Sequence, residues 1–412
     1  MLITDKMGGK VRRMTLWRNR DFMLLWSGQA VSSLGATITQ TAYPLLVWDL
    51  SHSAALVGLV GGLSTLPYIF LSLIVGALID RWDRKRVMIF CDVGRALNLV
   101  SVLVVLGLGR LTVAQICANT LLEGTFYVFF NLAEVSTLPH VVSKEQIPQA
   151  TAQNEATTGT TVLIGPALGG ALYALGRFAP FLADAISYAA SVLTLSFIRA
   201  PFQDERQEGR RRELLAEIRE GLSWLWGQPL IRYLAFLTGG WNFVGAGLIP
   251  VLLILVKQQH GSSLLYGTIL TIGGIGAIAG SLLAAPIRRR FRFGPTIIVL
   301  VWFEALWFPL YAVAPNPLFL GVISACLFMA GPIYNVVQFS YRISMIPDEL
   351  QGRVNSVFRL LAFGFQPFGF ALTGLWIEWF GVTSAILFLS ASTLLLAILT
   401  SVNKHVIDAG RE

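Results

Sequence analysis

The sequence predicts an all-α polytopic membrane protein with twelve transmembrane helices in two pseudo-symmetric six-helix bundles. Hydrophobic residues make up 55% of the 412 positions and charged residues only 13%, about half the charged share of a soluble domain. Apolar runs of about twenty residues recur along the chain, each long enough to cross the ~30 Å hydrocarbon core as a helix. These runs do not alternate polar with apolar residues, so they indicate helices rather than the strands of a barrel.

Reading the apolar runs against glycine, proline and charged breaks gives the elements in order. The first six segments are 22–48, 54–79, 87–108, 113–135, 158–175 and 181–198, and the second six are 230–256, 264–287, 296–313, 318–339, 357–376 and 384–402. The expected domains are residues 20–199, a linker over 200–228 and residues 229–403. In the linker, Leu215, Ile218, Leu222 and Leu225 recur at helical spacing beside Trp224 and Trp226, which predicts an amphipathic helix along the membrane surface, a tether between halves.

The net charge is +8. Basic residues of a membrane protein gather in cytoplasmic loops, so this charge predicts orientation rather than nucleic-acid binding. One side carries the N-terminus, Arg81–Arg86, Lys144, the linker, Arg288–Arg292, Arg342, Arg353 and the C-terminus; the other carries Arg110, Arg177 and Lys257. Both termini are therefore expected in the cytoplasm of a bacterial-type cell, with the chain in its inner membrane. The basic N-terminal residues precede an apolar run too long for a cleaved signal peptide. Cys91, Cys117 and Cys326 all fall in apolar runs, where they form no disulfide framework and no metal-ligand spacing.

An internal repeat joins the halves. "LPHVVSKEQ" before the fifth segment resembles "IPDELQGR" before the eleventh, and Asn154 and Pro166 have the same spacing as Asn355 and Pro367. Two such halves are what a transporter built from parallel repeats shows.

"GALIDRWDRKR", residues 76–86, concentrates six charges in its last seven positions, between the second and third segments. With Gly76, Leu78, Asp80, Arg81, Arg84 and Lys85 in place, it resembles the signature loop of the major facilitator superfamily, although Asp83 stands where that loop usually has glycine. "GPALGG", residues 165–170, resembles the helix-bending motif of that superfamily's proton-coupled exporters, with Thr161 where a glycine is usual. "WSGQAVSSLG" from Trp26, "DRWDRKRVMI" and "GRVNSV" from Gly352 resemble the branch of bacterial macrolide-efflux proteins and the enterobactin exporter.

The resemblance implies a conformational latch. Gly76 would admit a close helix, Asp80 would accept from a helix N-terminus of the other half, and Arg84 would pair with Glu134. Arg81 and Lys85 belong to the same loop, and Asp92 and Arg95 are expected as an ion pair at the cytoplasmic rim. Gly165, Pro166, Gly169 and Gly170 would bend the fifth helix and pack it tightly.

The resemblance also implies a central cavity lined by the first, fourth, seventh and tenth segments. Polar residues are costly in hydrocarbon and so mark cavities. The candidates are Glu123, Tyr127, Asn131 and Glu134 on one face of the fourth segment; Gln40, with Gln29, Ser33, Thr37 and Thr41, on the first; Trp241 and Asn242 on the seventh; and Tyr334, Asn335 and Gln338 on the tenth. Glu123 lies deep in its segment with no sequence-near cation, which suits proton exchange or pairing with a cationic substrate. Glu304 and Asp184 fall on helices expected at the periphery.

His52, His140, His260 and His405 lie at helix ends or loops without paired spacing, so neither a metal site nor a membrane-embedded enzyme is expected. No phosphate-binding loop supports an ATP-driven pump. The reading is a monomeric secondary transporter without cofactors, exporting a drug-, macrolide- or siderophore-like amphiphile by proton antiport. The alternative is a proton-coupled importer on the same fold.

Overall fold

The computed structural model describes residues 16–79, 81–202 and 214–409. Six long helices form the first half: α1 (Arg20–Ser51), α2 (Ala54–Ile79), α3 (Arg84–Gly107), α4 (Val113–Val141), α5 (Ile147–Leu175) and α6 (Ala179–Phe197). A short helix α7 (Leu214–Gly227) precedes the second half. That half contains α8 (Pro229–Gln258), α9 (Ser263–Arg290), α10 (Phe293–Trp307), α11 (Pro317–Met345), α12 (Gln351–Gly364), α13 (Gln366–Phe380) and α14 (Val382–Val402), followed by α15 (Lys404–Asp408). No strand occurs among the described residues.

Ten stretches are long and apolar enough to cross a membrane; α12 and α13 together count as one, and α10 with its 3-10 extension Phe308–Val313 as another. The helices α1 and α4 complete twelve passes but are less apolar, and both turn polar residues toward a cavity between the halves. In α3 the polarity is inside out. Phe90, Leu97 and Val104, spaced by seven, are exposed, whereas Cys91, Asp92, Arg95 and Asn98 are buried. The first set is a lipid face, because hydrocarbon and not water surrounds the bundle.

Several helices exceed their apolar runs. The helix α5 starts at Ile147 rather than near 158, and α11 ends at Met345 rather than near 339. Both extensions are polar, so they project past the apolar layer while keeping their backbone hydrogen bonds. The repeated loops fold alike: Lys144–Gln146 and Asp348–Leu350 each form a 3-10 turn before the next helix. Pro166 sits within continuous α5, whereas the backbone breaks at Phe365, just before Pro367.

The linker helix α7 is amphipathic, but it docks on protein. Leu225 is fully buried, Gly221 lies against the Arg353 backbone of α12, and Glu220 forms an ion pair with Arg353. Leu225 and Ile218 pack into the core of the second half, while Leu222 and Trp226 stay exposed.

The start of α1, the α2–α3 turn, the end of α6, α7 and the C-terminal helix share one side, termed here the terminal side. Asn19 Nδ2 donates to the Val141 carbonyl (2.8 Å), and the backbone N–H of Ala200 donates to Asp21 (3.1 Å), tying that side together. The halves meet on the opposite, distal side. There α2 packs along α13, and α5 along α9, through glycines. A Cβ on Gly170 would meet Gly267 Cα at 3.2 Å, and one on Gly374 would meet Gly58 Cα at 2.9 Å. Such stripes let backbones approach at van der Waals distance.

Candidate functional site

A cavity of about 670 Å3 lies between the halves, within the size range of small-molecule sites. Polar groups come mainly from the first half. Thr37, Thr39, Gln40 and Tyr43 of α1, Arg95 of α3, Glu123, Tyr127 and Asn131 of α4, and Asp184 and Tyr188 of α6 line it. The second half adds mostly bulk, including Tyr266, Phe328, Phe363 and Phe370, with Arg359 as its charged group.

The centre is an ion pair that the sequence reading missed. Arg95 Nε donates to Glu123 Oε1 at 2.6 Å, and Arg95 Nη1 lies 3.8 Å from Asp92 Oδ1. Tyr188 touches both members: its hydroxyl donates to Glu123 Oε1 (2.8 Å), and the guanidinium stacks 4.1 Å from its ring centre. Arg95 follows the start of α3 by eleven residues, ~16 Å along the axis, so Asp92 and Arg95 belong to the buried interior of the half and not to a rim. Both are buried. Asp184, expected at the periphery, also reaches the cavity and accepts from Ser187 (3.0 Å).

Three buried polar atoms on the cavity wall lack a hydrogen-bond partner among the described residues: Thr39 Oγ1, Tyr43 Oη and Glu123 Oε2. A buried unpaired polar atom costs roughly 1–3 kcal/mol, so this corner is suited to a ligand or water that supplies the missing bonds.

Other predicted residues lie elsewhere. Glu134 continues the α4 stripe but faces a separate small void with Trp26, Gln29 and Asn154. Trp241, Asn242, Asn335 and Gln338 do not line the cavity. Trp241 stacks on Tyr334 (4.7 Å), Asn242 Nδ2 donates to the Ala362 carbonyl (2.8 Å), Gln338 is buried and Asn335 is exposed. The first two groups are consumed by packing within the second half.

The predicted latch is also rearranged. Asp80 lies outside the described residues. Arg84 donates to the carbonyls of Ser136 (2.7 Å) and Phe202 (3.1 Å) rather than pairing with Glu134, and Lys85 donates to that of Ile198 (2.8 Å). Arg81 is exposed, and a Cβ on Gly76 would meet nothing within 4 Å, so no helix among the described residues approaches there. Asp83 caps α3, accepting from the Arg86 N–H (3.0 Å). In the bending motif, Gly165 and Gly169 face α1, while Gly170 and the Pro166 carbonyl face Gly267 of α9.

Side-chain bonds between the halves lie mostly distal to the cavity. Asp49 accepts from Lys257 (3.3 Å), the Ala167 N–H donates to Thr271 (3.1 Å), and Glu378 accepts from Ser53, Ala54 and Ala55. Toward the terminal side, Arg359 donates to the Tyr68 hydroxyl (2.5 Å). The cavity is thus closed distally, and the halves part toward the terminal side.

Comparison with known proteins agrees with this architecture. The sequence pattern of the transmembrane secretion effector family matches residues 13–410. The chain is 27% identical to the multidrug efflux pump Tap of Mycolicibacterium fortuitum, covering 93% of this chain and 96% of that protein. It is 22% identical to macrolide efflux protein A of Streptococcus pyogenes, over 92% and 94% of the two chains. The fold is shared with the nucleoside transporter NupG (TM-score 0.73, 14% identity, 92% of this chain and 98% of that one). It is shared too with a D-xylose–proton symporter (TM-score 0.71, 14% identity, 94% and 97%). A cavity between two helical halves, closed at one end, and a family pattern spanning nearly the whole chain lead to one assignment: the chain is a multi-pass membrane transporter belonging to the transmembrane secretion effector family of the major facilitator superfamily.

Proposed function

We propose that this transporter exports hydrophobic or amphiphilic small molecules, of drug, macrolide or siderophore type, by proton antiport. The observation that carries the reading is the cavity itself: aromatic and apolar walls around one buried ion pair and three unpartnered polar atoms. Apolar walls accept varied amphiphiles through non-directional burial, and the Glu123 carboxylate gives a cationic group a counter-ion. The names of the Tap and macrolide-efflux relatives support the direction of transport. The positive-inside distribution supports an inner-membrane protein with cytoplasmic termini, so that the open side faces the cytoplasm. Residues 20–199 and 229–403 are the two rocking units, and 200–228 joins them in a monomer.

Purified protein in liposomes, with an imposed pH gradient and a panel of lipophilic dyes and macrolides, tests this reading. Accumulation driven by the gradient in the antiport direction, abolished by a protonophore, is the expected result. Accumulation in the same direction as the protons identifies a symporter and overturns export by antiport.

A further inference from the structure

Arg95 stands between two carboxylates and satisfies only one. Glu123, on the cavity wall, takes the short contact at 2.6 Å, while Asp92 lies 3.8 Å away on the inner side of α3. Asp92 is fully buried, and neither of its oxygens has a hydrogen-bond partner among the described residues. The groups around it are few. Arg95 and Cys91 face it from α3, and Glu123 and Glu134 from α4. From α6 comes Ser191, which accepts from Gln29 Nε2 (3.3 Å) and is not in hydrogen-bonding geometry with Asp92. Asp184 and Tyr188 of α6 act on Arg95. An ionised carboxylate in such a place, with the nearest described cation engaged elsewhere, is strongly disfavoured, whereas a protonated one is not.

We infer that Asp92 holds the coupling proton and that Arg95 is a two-position counter-ion shared between Asp92 and Glu123. The inference deepens the antiport reading above and rests on it. In the conformation seen here Arg95 neutralises Glu123, and Asp92 is the neutral acid. A cationic group entering the cavity takes Glu123 and frees the guanidinium. Arg95 then turns to Asp92, whose O–H bond breaks; the proton leaves and the carboxylate pairs with Arg95. The charge of the buried cluster is unchanged apart from one cation gained and one proton lost, which is antiport.

The exit is marked by Glu134 and the small void it shares with Gln29 and Asn154 toward the terminal side. Reprotonation of Asp92 from the distal side returns Arg95 to Glu123 and expels the cation. Asp92 is a protonation site that needs no contact with the transported molecule, so its chemistry is separable from binding.

The test is infrared spectroscopy of the purified full-length protein without ligand at neutral pH, reading the carboxylic-acid C=O band that shifts in D2O. Wild-type protein should show the band. Asp92→Asn and Asp92→Ser should each lose a component of it, Asp92→Glu should restore one, and Glu123→Gln, which frees Arg95 to pair with Asp92, should lose the same component. A wild-type protein without the band overturns the proposal whatever the variants do. A band kept whole in Asp92→Asn does so too. Ethidium transport driven by a pH gradient in liposomes separates the two readings. If the gradient drives wild-type transport while Asp92→Asn keeps the full band, antiport stands and the Asp92 assignment falls. If no gradient drives wild-type transport, antiport falls and takes the coupling role of Asp92 with it.

Discussion

Glu378, at the distal end of α13, accepts from the backbone N–H of Ala54 at 2.8 Å, so a carboxylate of one half caps the first turn of α2 in the other. The same Oε2 accepts from the Ser53 hydroxyl (3.0 Å) and the Ala55 N–H (3.3 Å). A helix N-terminus carries partial positive charge and unpaired donors, which an anion satisfies. This contact exists only while the distal side is closed.

Glu378→Ala should therefore shift the population toward distal-open forms. A latch worth ~1–3 kcal/mol changes the ratio roughly 5–150-fold. Distances between spin labels placed at the distal ends of α2 and α13 report it. An unchanged distance distribution in folded protein would remove Glu378 from the gate.

Asp80→Asn should act with the opposite sign. The signature-loop resemblance gives Asp80 the matching role on the terminal side, capping a helix of the second half when that side is closed. Its neutralisation should enrich the distal-closed form described here. The same label pairs test both variants, and a shift in the same direction for both refutes the two-latch scheme.

Asp49 gathers three partners at the distal rim: Lys257 of the other half (3.3 Å), Arg177 (3.6 Å) and the Tyr173 hydroxyl (2.9 Å). Lys257→Ala removes one of these, while Asp49→Ala leaves all three without their shared acceptor. Asp49→Ala should open the distal side more than Lys257→Ala does, and high salt should narrow the gap because the rim is partly exposed. Equal effects at low salt would show that only the Lys257 contact matters.

The fold was legible because membrane helices write themselves as long apolar runs, and the halves as repeated loops. The helix ends were less so: the polar first turns of α5 carry no apolar signal. The site was half legible. Polar residues on α1 and α4 announced a cavity wall, yet the same logic chose Trp241 and Asn242, which packing within the second half absorbs, and Asn335 and Gln338, which lie off the cavity. The Arg95–Glu123 pair was hidden because its partners are separated by 28 positions and meet only when α3 and α4 pack. Arg359 is carried by α12 to the cavity wall beside Tyr68, a residue 291 positions away that it meets only when the two halves pack.

The ion pair yields the most discriminating prediction. Arg95→Gln leaves Glu123 buried against Tyr188 without a cation, and Glu123→Gln leaves Arg95 with only the longer contact to Asp92. Removing one member of a buried pair costs ~3–5 kcal/mol, because the other is left uncompensated. Arg95→Gln should be the more damaging, since no second cation among the described residues forms an ion pair with Glu123, whereas Arg95 keeps Asp92. The double variant should be more stable than Arg95→Gln alone, with a coupling energy of roughly 0.5–3 kcal/mol. Thermal unfolding in detergent reads all three. Transport separates structure from mechanism: Glu123→Gln should lose gradient-driven transport of a cation such as ethidium and weaken its binding, because glutamine retains the shape and hydrogen bonding but gives the cation no counter-charge and leaves Arg95 to Asp92. Wild-type gradient-driven transport per folded molecule in Glu123→Gln would confine the pair to a structural role.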